Sequence, residues 1–307
     1  LTHSFSWYSP VQNQREDKTL LTIVETGNYT RAAQLLNLTQ PAVSHHIRML
    51  EEEYGIKIFN RNKKELLLTP EGAVLVKYAR RVCSINAAAR QAIDDCRRQI
   101  KHITVGITQT AAESLMPQVM ATYCNDHPHT HINIITDTIN NIYNRLKVFE
   151  LDVGIVEGKV SDPSLTSVLL DTDFLCLIVS PKHRFAKQRS VSLRDLMKEK
   201  FILRSSNAGT RLLFDSYLQS HSETIRDLNV IMEMDNVTMI KELVAQNMGI
   251  SIIAHSACRE EEQRGRLAVV PIENANMIRE INMIHHQDFT HPEILEDFRK
   301  IYNRLRS

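Results

Sequence analysis

Four polar side chains recur at helical spacing between residues 40 and 48, and their chemistry suits the edges of DNA bases. They are Gln40, Ser44, His45 and Arg48. Gln and Arg can form paired hydrogen bonds with base edges in the major groove, and a Ser hydroxyl can hold a phosphate. The same side chains would also suit the solvated face of an ordinary surface helix, so the neighbouring segments must decide between the two.

An apolar pattern predicts the helix that would hold these side chains together. Val43, Ile47 and Leu50 recur at intervals of four and three residues, which places them on one face of a helix that packs on a core. Thr39 can cap this helix with its hydroxyl, and Pro41 suits the first turn, where a missing N–H costs nothing. The polar side chains then face outward.

The flanking segments favour a helix-turn-helix over residues 28–47. Upstream, a small and apolar face formed by Ala32, Ala33, Leu35 and Leu36 would let two helices cross closely. Gly55 ends the second helix. Downstream, apolar segments flank the basic tip 60–64, which is typical of a β-hairpin wing beside the DNA backbone. The residues that we predict to contact DNA are Thr30, Arg31, Thr39, Gln40, Pro41, Ser44, His45, Arg48, Arg61, Lys63 and Lys64.

This part of the chain resembles the winged helix-turn-helix of LysR-type transcriptional regulators, through the residues RAAQLLNLTQPAVSHHIRMLEEEYGIKIFNR and then LTPEG. The resemblance covers roughly the first quarter of the chain. It implies an α/β protein with a winged helix-turn-helix, a long linker helix and a two-subdomain effector-binding domain similar to periplasmic binding proteins. His45-His46 stands where many members have Arg or Gln, which leaves the operator sequence open and could make DNA affinity depend on pH.

Length and composition agree with a globular protein of about two domains. The chain has 307 residues, of which 43% are hydrophobic and 24% are charged. We expect a cytoplasmic protein with no membrane partner, because no apolar run approaches a membrane span and the polar N-terminus lacks a signal-like core. The first 100 residues hold 14 basic and 10 acidic side chains, which agrees with phosphate contact at this end.

A long helix is predicted over residues 70–98, with an apolar seam for pairing. The seam positions alternate spacings of four and three: Leu75, Ala79, Val82, Asn86, Ala89, Ile93, Cys96 and Ile100. The buried amide of Asn86 could fix the register and a two-stranded state. We favour a dimerising linker, as the resemblance also implies, over a helix that packs on its own effector domain.

Strand and helix patterns alternate beyond residue 100, which predicts a mostly parallel sheet covered on both faces. The predicted strands are 103–107, 132–136, 152–156, 174–179, 201–203, 230–234 and 249–253. The expected domains are an N-terminal extension (1–16), the winged helix-turn-helix (17–69), the linker (70–98) and the effector domain (101–307). Subdomain I of the effector domain takes in 101–170 and 271–307, and subdomain II takes in 171–270.

Ligands of open α/β folds bind beyond the carboxyl ends of strands, near helix starts. Polar residues occupy such positions here: Thr108, Gln109, Thr110, Glu157, Arg204, Ser205, Ser206, Thr210 and Asn236. They suit a carboxylate or oxyanion, although Thr110, Ser206 and Asn236 could each simply cap a helix. The resemblance favours Thr108, Thr110 and Ser206, since family members hold effectors at matching positions. Glu157 disfavours a purely anionic ligand and would suit one with an amine or hydroxyl.

The five cysteines form no CxxC pair and no zinc-like spacing with histidine, so neither a metal nor a cofactor is expected. Peroxide-sensing members of the family use two cysteines in the outer subdomain, where this chain has Cys176 and Cys258, far apart in sequence. Cys176 lies in the apolar run FLCLIVS, and a buried thiol is normally inert. A redox switch is therefore the less favoured interpretation.

Two other classes of function can be compared with a regulator. An enzyme is disfavoured, because no GxSxG, HExxH, Walker A or GxGxxG motif occurs in a supporting context. A solute-binding module without a DNA role is opposed by the winged helix-turn-helix and the absent signal segment. We therefore predict a non-enzymatic, sequence-specific regulator of transcription that is switched by a small polar metabolite. Its partners would be promoter DNA, the effector and further copies in a homodimer or homotetramer, with RNA polymerase as another candidate.

Overall fold

The computed structural model describes residues 13–60, 66–160, 162–289 and 291–306. The chain divides into two compact units. The first takes in the chain up to Arg98 and the short segment Val148–Glu150, and the second takes in Gln99–Lys147 and the chain from Leu151 onward. Residues 61–65 of the predicted wing, with Arg61, Lys63 and Lys64, lie outside the described residues.

Four helices dominate the described part of the first unit. They are α1 (Asn13–Thr26), α2 (Tyr29–Leu36), α3 (Gln40–Tyr54) and α4 (Pro70–Arg98). All four helices contribute to one apolar core, in which Leu20, Ala32, Val43 and Leu75 represent α1 to α4 in turn. Its small residues Ala32 and Ala33 are buried, as close helix crossing requires.

The helix α1 corrects the predicted N-terminal extension, which was expected to reach Glu16. The helix begins at Asn13, and both Glu16 and Asp17 are buried. The start of this helix was missed because its sequence is polar, and carboxylates such as these are seldom buried. Burial, with the neighbouring charges of Glu53 and Glu16, raises the pKa of Asp17 to about 6.

The second unit alternates strands and helices. Its strands are β1 (Lys101–Ile107), β2 (Thr130–Thr136), β3 (Val153–Glu157), β4 (Leu165–Val179), β5 (Lys200–Arg204), β6 (Asn229–Met234), β7 (Ser251–Ala254), β8 (Ala268–Val270) and β9 (Ile278–His286). Its helices are α5 (Gln109–Ala112), α6 (Met116–Asp126), α7 (Ile139–Lys147), α8 (Leu193–Leu196), α9 (Gly209–Ser220), α10 (Val237–Ala245), α11 (Arg259–Gln263) and α12 (Pro292–Arg306). The seven predicted strands all occur with shifted ends, whereas β8 and β9 were missed.

The prediction of a mostly parallel sheet is wrong. β1 runs parallel to β2 and β3, and β5 runs parallel to β6. However, β9 is antiparallel to β3 and β4, and β4 is antiparallel to β7 and β8. The chain crosses between the two subdomains once in each direction, so its crossing strands β4 and β9 run antiparallel where they pair.

The outward crossing is made by β4. It pairs with β9 from Leu165 to Phe174, with a register shift between Leu169 and Asp171. It pairs with β7 from Leu175 to Ile178. The predicted crossing at Leu170 lies at this shift. The return crossing is β9, which begins at Ile278 rather than near Pro271 as expected. The chain before β9 still belongs to subdomain II, because Ile272 and Met277 pack in its core.

Two glycines let α7 lie close to the sheet of subdomain I. A Cβ at Gly154 would lie 2.7 Å from Ile142 Cγ2 of α7. A Cβ at Gly106 would lie 3.3 Å from Ile142 Cγ1, and only 2.5 Å from Leu151 Cδ1, which follows α7 in the chain. Ile142 and Leu146 of α7 are fully buried against this sheet. The close contact fixes the start of α7 beside the carboxyl ends of β1 and β3.

Candidate functional site

The turn between α2 and α3 is held by side-chain caps at both helix starts. Asn28 Oδ1 accepts hydrogen bonds from the backbone N–H groups of Thr30 and Arg31, at 2.8 and 3.1 Å. Asn37 ends α2 in the left-handed conformation, with a φ of 55°. Thr39 Oγ1 then accepts the N–H of Ala42 at 3.3 Å, as predicted for the cap of α3. These caps determine where α3 begins.

The two faces of α3 differ as the sequence predicts. Val43, Ile47 and Leu50 are buried in the core. On the other face Gln40, Pro41, His45 and Arg48 are exposed, and Ser44 is half-buried and accepts a hydrogen bond from Gln40 Nε2 at 3.1 Å. Thr30, Arg31 and Thr39 are also exposed.

The two neighbouring histidines of α3 have different surroundings. His45 is exposed on the outward face, whereas His46 Nδ1 lies 2.8 Å from Thr19 Oγ1 of α1. His46 therefore ties α3 to α1, and His45 is the one available to DNA.

A groove beside α3 gathers several of the predicted DNA contacts. It is lined by Thr30, Gln40, Ser44 and Arg48 together with Asn60 at the base of the wing. The wing strands pair there, since Phe59 forms an antiparallel bridge with Leu68 and Asn60 N donates to Leu67 O at 2.9 Å. A helix beside a hairpin is the arrangement that enters a major groove and meets the adjacent backbone.

The long helix α4 corrects the predicted seam. Leu75 and Ala79 are buried in the core of the first unit and are unavailable for pairing with another chain. Ile100 lies beyond the end of the helix at Arg98. The predicted seam is wrong at these three positions, and Leu75 and Ala79 are covered because α1, which was not predicted, packs against the start of α4. The seam members from Val82 to Cys96 are exposed or half-buried, so their pairing with another chain stays a prediction.

A different stripe of α4 carries the exposed apolar side chains. It comprises Val74, Tyr78, Val82, Ile85 and Ile93, each about half exposed. Val82 and Ile93 also belong to the predicted seam, and Asn86 is half-buried. The stripe keeps the helical spacing of three and four residues over its first four members.

A cavity of about 250 Å³ lies between the two subdomains of the second unit. From subdomain I it is lined by Thr108, Gln109, Thr110, Thr136, Asp137, Thr138, Ile139 and Glu157, and from subdomain II by Arg204, Asn207, Ala208, Gly209 and Asp235. We call this cavity the cleft. It lies at the carboxyl ends of β1, β2, β3, β5 and β6, where ligands of α/β folds bind.

Five of the nine predicted effector residues line the cleft: Thr108, Gln109, Thr110, Glu157 and Arg204. The other four are corrections to the predicted lining. Ser206 is exposed and Ser205 hydrogen bonds to Asn207 and Asp235, while Asn236 Oδ1 caps α10 through Met239 N at 2.9 Å. Thr210 is buried behind the lining.

Two buried arginines flank the cleft, and the sequence analysis identified one of them. Arg204 Nη1 donates to Thr110 Oγ1 at 3.4 Å, and Arg279 Nη1 donates to Thr210 Oγ1 at 3.3 Å. The two hydroxyls lie 3.4 Å apart, so a continuous polar chain joins the guanidinium groups. Arg279 was missed because it lies on β9, a strand that the apolar patterns did not predict.

Both guanidinium groups keep N–H groups that bond to none of the described residues. Arg204 Nε and Arg279 Nε and Nη2 are buried without a hydrogen-bond partner. Arg279 Nη2 is 3.8 Å from Asp173 Oδ2, which is an ion pair but too long for a hydrogen bond. Burial lowers the pKa of Arg204, against the raising influence of Asp235 and Glu157. Unpaired buried donors of this kind call for an acceptor.

Polar contacts also hold the remaining walls of the cleft. Thr108 Oγ1 donates to Glu157 Oε1 at 2.7 Å and accepts the N–H of Ala111 at 3.1 Å. In subdomain II, Arg211 Nη1 donates to the carbonyl oxygen of Arg204 and to Glu233, both at 2.9 Å. Arg211 thereby fixes the backbone of Arg204 relative to α9.

The two cysteines of subdomain II are close together despite their separation in sequence. Cys176 Sγ and Cys258 Sγ lie 3.8 Å apart, and both side chains are buried. The neighbouring Cys258 thiol and burial raise the pKa of Cys176 well above its ordinary value. The Cys176 thiol is therefore protonated at neutral pH and poorly nucleophilic, and the Cys258 thiol is shielded by burial.

Comparison with protein families decides what these two units are. A model of the lysR family of bacterial regulatory helix-turn-helix proteins matches residues 15–73, and a model of the LysR substrate binding domain matches residues 97–305. The chain belongs to the LysR family. It is a LysR-type, DNA-binding transcriptional regulator with a C-terminal effector-binding domain, and the resemblance seen in the sequence is confirmed. The family consists of regulators of transcription rather than enzymes.

Individual relatives align over most of this LysR-type chain. The regulator CysL of Bacillus subtilis (strain 168) is 26% identical over 269 residues, which are 87% of this chain and 89% of CysL. A probable RuBisCO transcriptional regulator of Thalassiosira pseudonana is 28% identical and covers 92% of this chain and 93% of its own. The crystal structure of CbnR, a LysR family transcriptional regulator, shares the fold with a TM-score of 0.68 and 18% identity, covering 95% of this chain and 98% of CbnR.

None of the helices in the described ranges combines the length and the apolar character that a bilayer crossing requires.

Proposed function

We propose that the protein binds promoter DNA through the outward face of α3 and through the wing. The contacting residues would be Thr30, Arg31, Thr39, Gln40, Pro41, Ser44, His45, Arg48, Arg61, Lys63 and Lys64. The groove beside α3 supports this proposal most strongly, because Gln40, Ser44 and Arg48 line it next to the base of the wing. Gln40 and Arg48 would read bases, and the basic wing residues would contact phosphates.

The site of action would be the cytoplasm, where promoter DNA is found, and RNA polymerase is a further candidate partner.

A second copy of the chain would join along α4. The exposed stripe with Tyr78, Val82, Ile85 and Ile93 supports this, because a helix of this length with an unpaired apolar stripe is stabilised by a partner helix. Two protomers would then present two recognition helices to two half-sites, as a homodimer or within a homotetramer.

The cleft would hold the small-molecule effector. Thr108, Gln109, Thr110, Glu157 and Arg204 would contact it directly, with Asn207 and Asp235 as further candidates. Thr210 would act from behind, through its contacts with Thr110 and Arg279. Because the lining comes from both subdomains, a ligand that binds one arrangement more tightly would shift the angle between them. That change would alter the spacing of the DNA-binding heads.

A gel shift with the promoter region that the protein controls tests this function. The wild-type protein should retard that DNA at concentrations at which random DNA of equal length stays free, and a cleft ligand should change the affinity or the DNA bend. Arg264→Ala serves as a control, because it removes an exposed arginine that pairs with Glu260 in the second unit, away from the proposed DNA contacts. This variant should retard both DNAs as the wild type does. Equal retardation of both DNAs by the wild-type protein would contradict sequence-specific recognition.

A further inference from the structure

The lining of the cleft carries charges of both signs, and this mixture restricts what the cleft can bind. Among the described lining residues there is one guanidinium, Arg204, against three carboxylates, Asp137, Glu157 and Asp235. The inference below deepens the proposed function, since it rests on the cleft being the effector site.

The Arg204 side of the cleft is suited to an oxyanion. Arg204 is more than nine-tenths buried, and its Nε–H has no partner among the described residues. Gly209 starts the 12-residue helix α9 at the same wall, and its cap residue Ala208 supplies no side-chain hydrogen bond to the first turn. Free N–H groups at the start of a helix and a buried guanidinium both favour a carboxylate, sulfate or phosphate oxygen.

Two carboxylates of the lining are suited to a hydrogen-bond donor. Glu157 lies in subdomain I, across the cleft from Arg204, and Asp235 lies in subdomain II, just after β6 and next to Ser205. Thr108 is the described side chain that donates to Glu157, and Ser205 is the one that donates to Asp235. Asp137 is more fully engaged, by Thr138 N, by Asn141 and by Arg145 at 3.5 Å. Glu157 and Asp235 therefore retain acceptor capacity towards the cavity, since a carboxylate offers about four lone-pair sites.

A purely anionic ligand would satisfy Arg204 but would face these carboxylates at short range. Like charges in a small, partly buried cavity repel each other strongly. Carboxylates with unused acceptor capacity therefore lower the affinity for a purely anionic ligand. A purely cationic ligand would leave the N–H groups of Arg204 and α9 unpaired. A ligand with a single charge therefore leaves either the carboxylates or the N–H groups of the lining without a partner.

We infer that the effector is a small amphoteric or hydroxylated acid, with one oxyanion at Arg204 and the start of α9, and an ammonium or hydroxyl group at Glu157 and Asp235. The class of α-amino acids and α-hydroxy acids has this arrangement. A cavity of about 250 Å³ restricts the ligand to a small molecule.

A matched series of four-carbon acids tests this class on the full-length protein. Butyrate, 2-hydroxybutyrate and L-2-aminobutyrate differ only in the group on the α-carbon, and sulfate serves as an oxyanion without a donor. Binding is followed by calorimetry and by thermal shift. We expect the amino or the hydroxy acid to bind at least about tenfold more tightly than butyrate, as a hydrogen bond to a charged group provides.

Glu157→Gln separates charge from shape, because the amide keeps the size of the side chain and can still accept from Thr108. We expect this variant to lose about tenfold in affinity for L-2-aminobutyrate and to bind butyrate as well as or better than the wild type. Glu260→Gln removes an exposed carboxylate on α11 and should change neither affinity. Thermal unfolding of each variant without ligand establishes that it is folded.

The possible results distinguish the class of ligand from the site itself. Tightest binding of butyrate or sulfate, lost in Arg204→Gln or in the milder Thr110→Val, would overturn the amphoteric class and leave the cleft as the effector site. Binding that neither Arg204→Gln nor Thr110→Val weakens would overturn both the class and the site. No response to any of the four compounds would also overturn the class.

Discussion

Arg204 Nη1 donates a hydrogen bond to Thr110 Oγ1 across the cleft, over 3.4 Å. Arg204 ends β5 in subdomain II, and Thr110 lies in the first turn of α5 in subdomain I. The contact therefore spans the two bodies whose relative angle an effector would change. A ligand oxygen that accepts from Arg204 would compete with Thr110 for the same donor, which couples occupancy of the cleft to the contact between subdomains.

Thr110→Met should abolish effector binding and leave operator binding intact. The longer side chain fills the cleft and removes the hydroxyl that meets both Arg204 and Thr210. The measurement is calorimetry with any compound that stabilises the wild-type protein in a thermal-shift screen, with a gel shift on the same preparation. Ser206→Met is the matched control, because Ser206 is exposed and outside the lining. Normal affinity in Thr110→Met would remove the cleft from consideration.

Arg48→Ala should weaken operator binding by about 1–3 kcal/mol if Arg48 makes a bidentate contact with a base. Binding to random DNA should fall much less, because a base contact contributes little there. Gel shifts on operator and random DNA at one salt concentration give the two losses, with Arg264→Ala as the control outside the first unit. Equal losses on both DNAs would mean that Arg48 contacts phosphate only.

Asp17→Asn should stabilise the first unit at pH 8 and leave its stability nearly unchanged near pH 4. The folded-state pKa of Asp17 is about 6, above the ordinary carboxyl value of 3.8, so folding favours the protonated carboxyl. The contribution of the protonated carboxyl to the free energy of unfolding is complete below about pH 4 and is lost as the pH rises through 6. The neutral amide of Asn avoids that loss. Because solvent screening reduces the effect, we expect the free energy of unfolding at pH 8 to rise by about 1 kcal/mol.

Thermal unfolding of Asp17→Asn and the wild type at both pH values measures the difference. Glu25→Gln changes an exposed carboxylate of the same helix and should have no comparable effect. A stabilisation of Asp17→Asn that is as large at pH 4 as at pH 8 would show that ionisation of Asp17 is not the cause.

The sequence predicted the local elements well, because their signals are local. Thr39 and Gly55 mark the ends of α3, and Val43, Ile47 and Leu50 mark its buried face, so the recognition helix needed no tertiary information. The seam on α4 was assigned to the wrong side at Leu75 and Ala79, because the apolar pattern cannot show which of two stripes the chain itself covers.

The lining of the cleft could be predicted only in part, because it joins residues that are far apart in the sequence. Thr108, Thr110 and Arg204 follow predicted strands and were identified from that position, and the family resemblance also favoured Thr108 and Thr110. Arg279 comes near Arg204 only because β9 crosses back beside β4, and Asn236 turned out to cap α10 rather than to line the cavity. Side-chain partners across a crossing depend on the order of the strands, which local patterns do not determine.

Cys176 and Cys258 should resist alkylation in the folded protein, while Cys96 reacts readily. Both buried thiols are shielded from the reagent, and the raised pKa of Cys176 removes the reactive thiolate. Iodoacetamide treatment at pH 8 followed by mass spectrometry of each site gives the rates, with Cys96 as the exposed internal control. A Cys176–Cys258 disulfide after mild peroxide treatment of the folded protein would contradict this and restore the redox interpretation.

Ile85→Glu should weaken self-association at least about tenfold, because it places a charge in the exposed apolar stripe of α4. The helix itself should persist, since Glu is a good helix former and Ile85 is half exposed. Sedimentation or light scattering over a range of protein concentrations measures the change. Ala87→Glu adds the same charge on a different exposed face of the helix and serves as the matched control. If both variants associate as the wild type does, the stripe is not the pairing surface. If both variants weaken association equally, the added charge alone is the cause, and the result does not place the pairing surface on the exposed stripe.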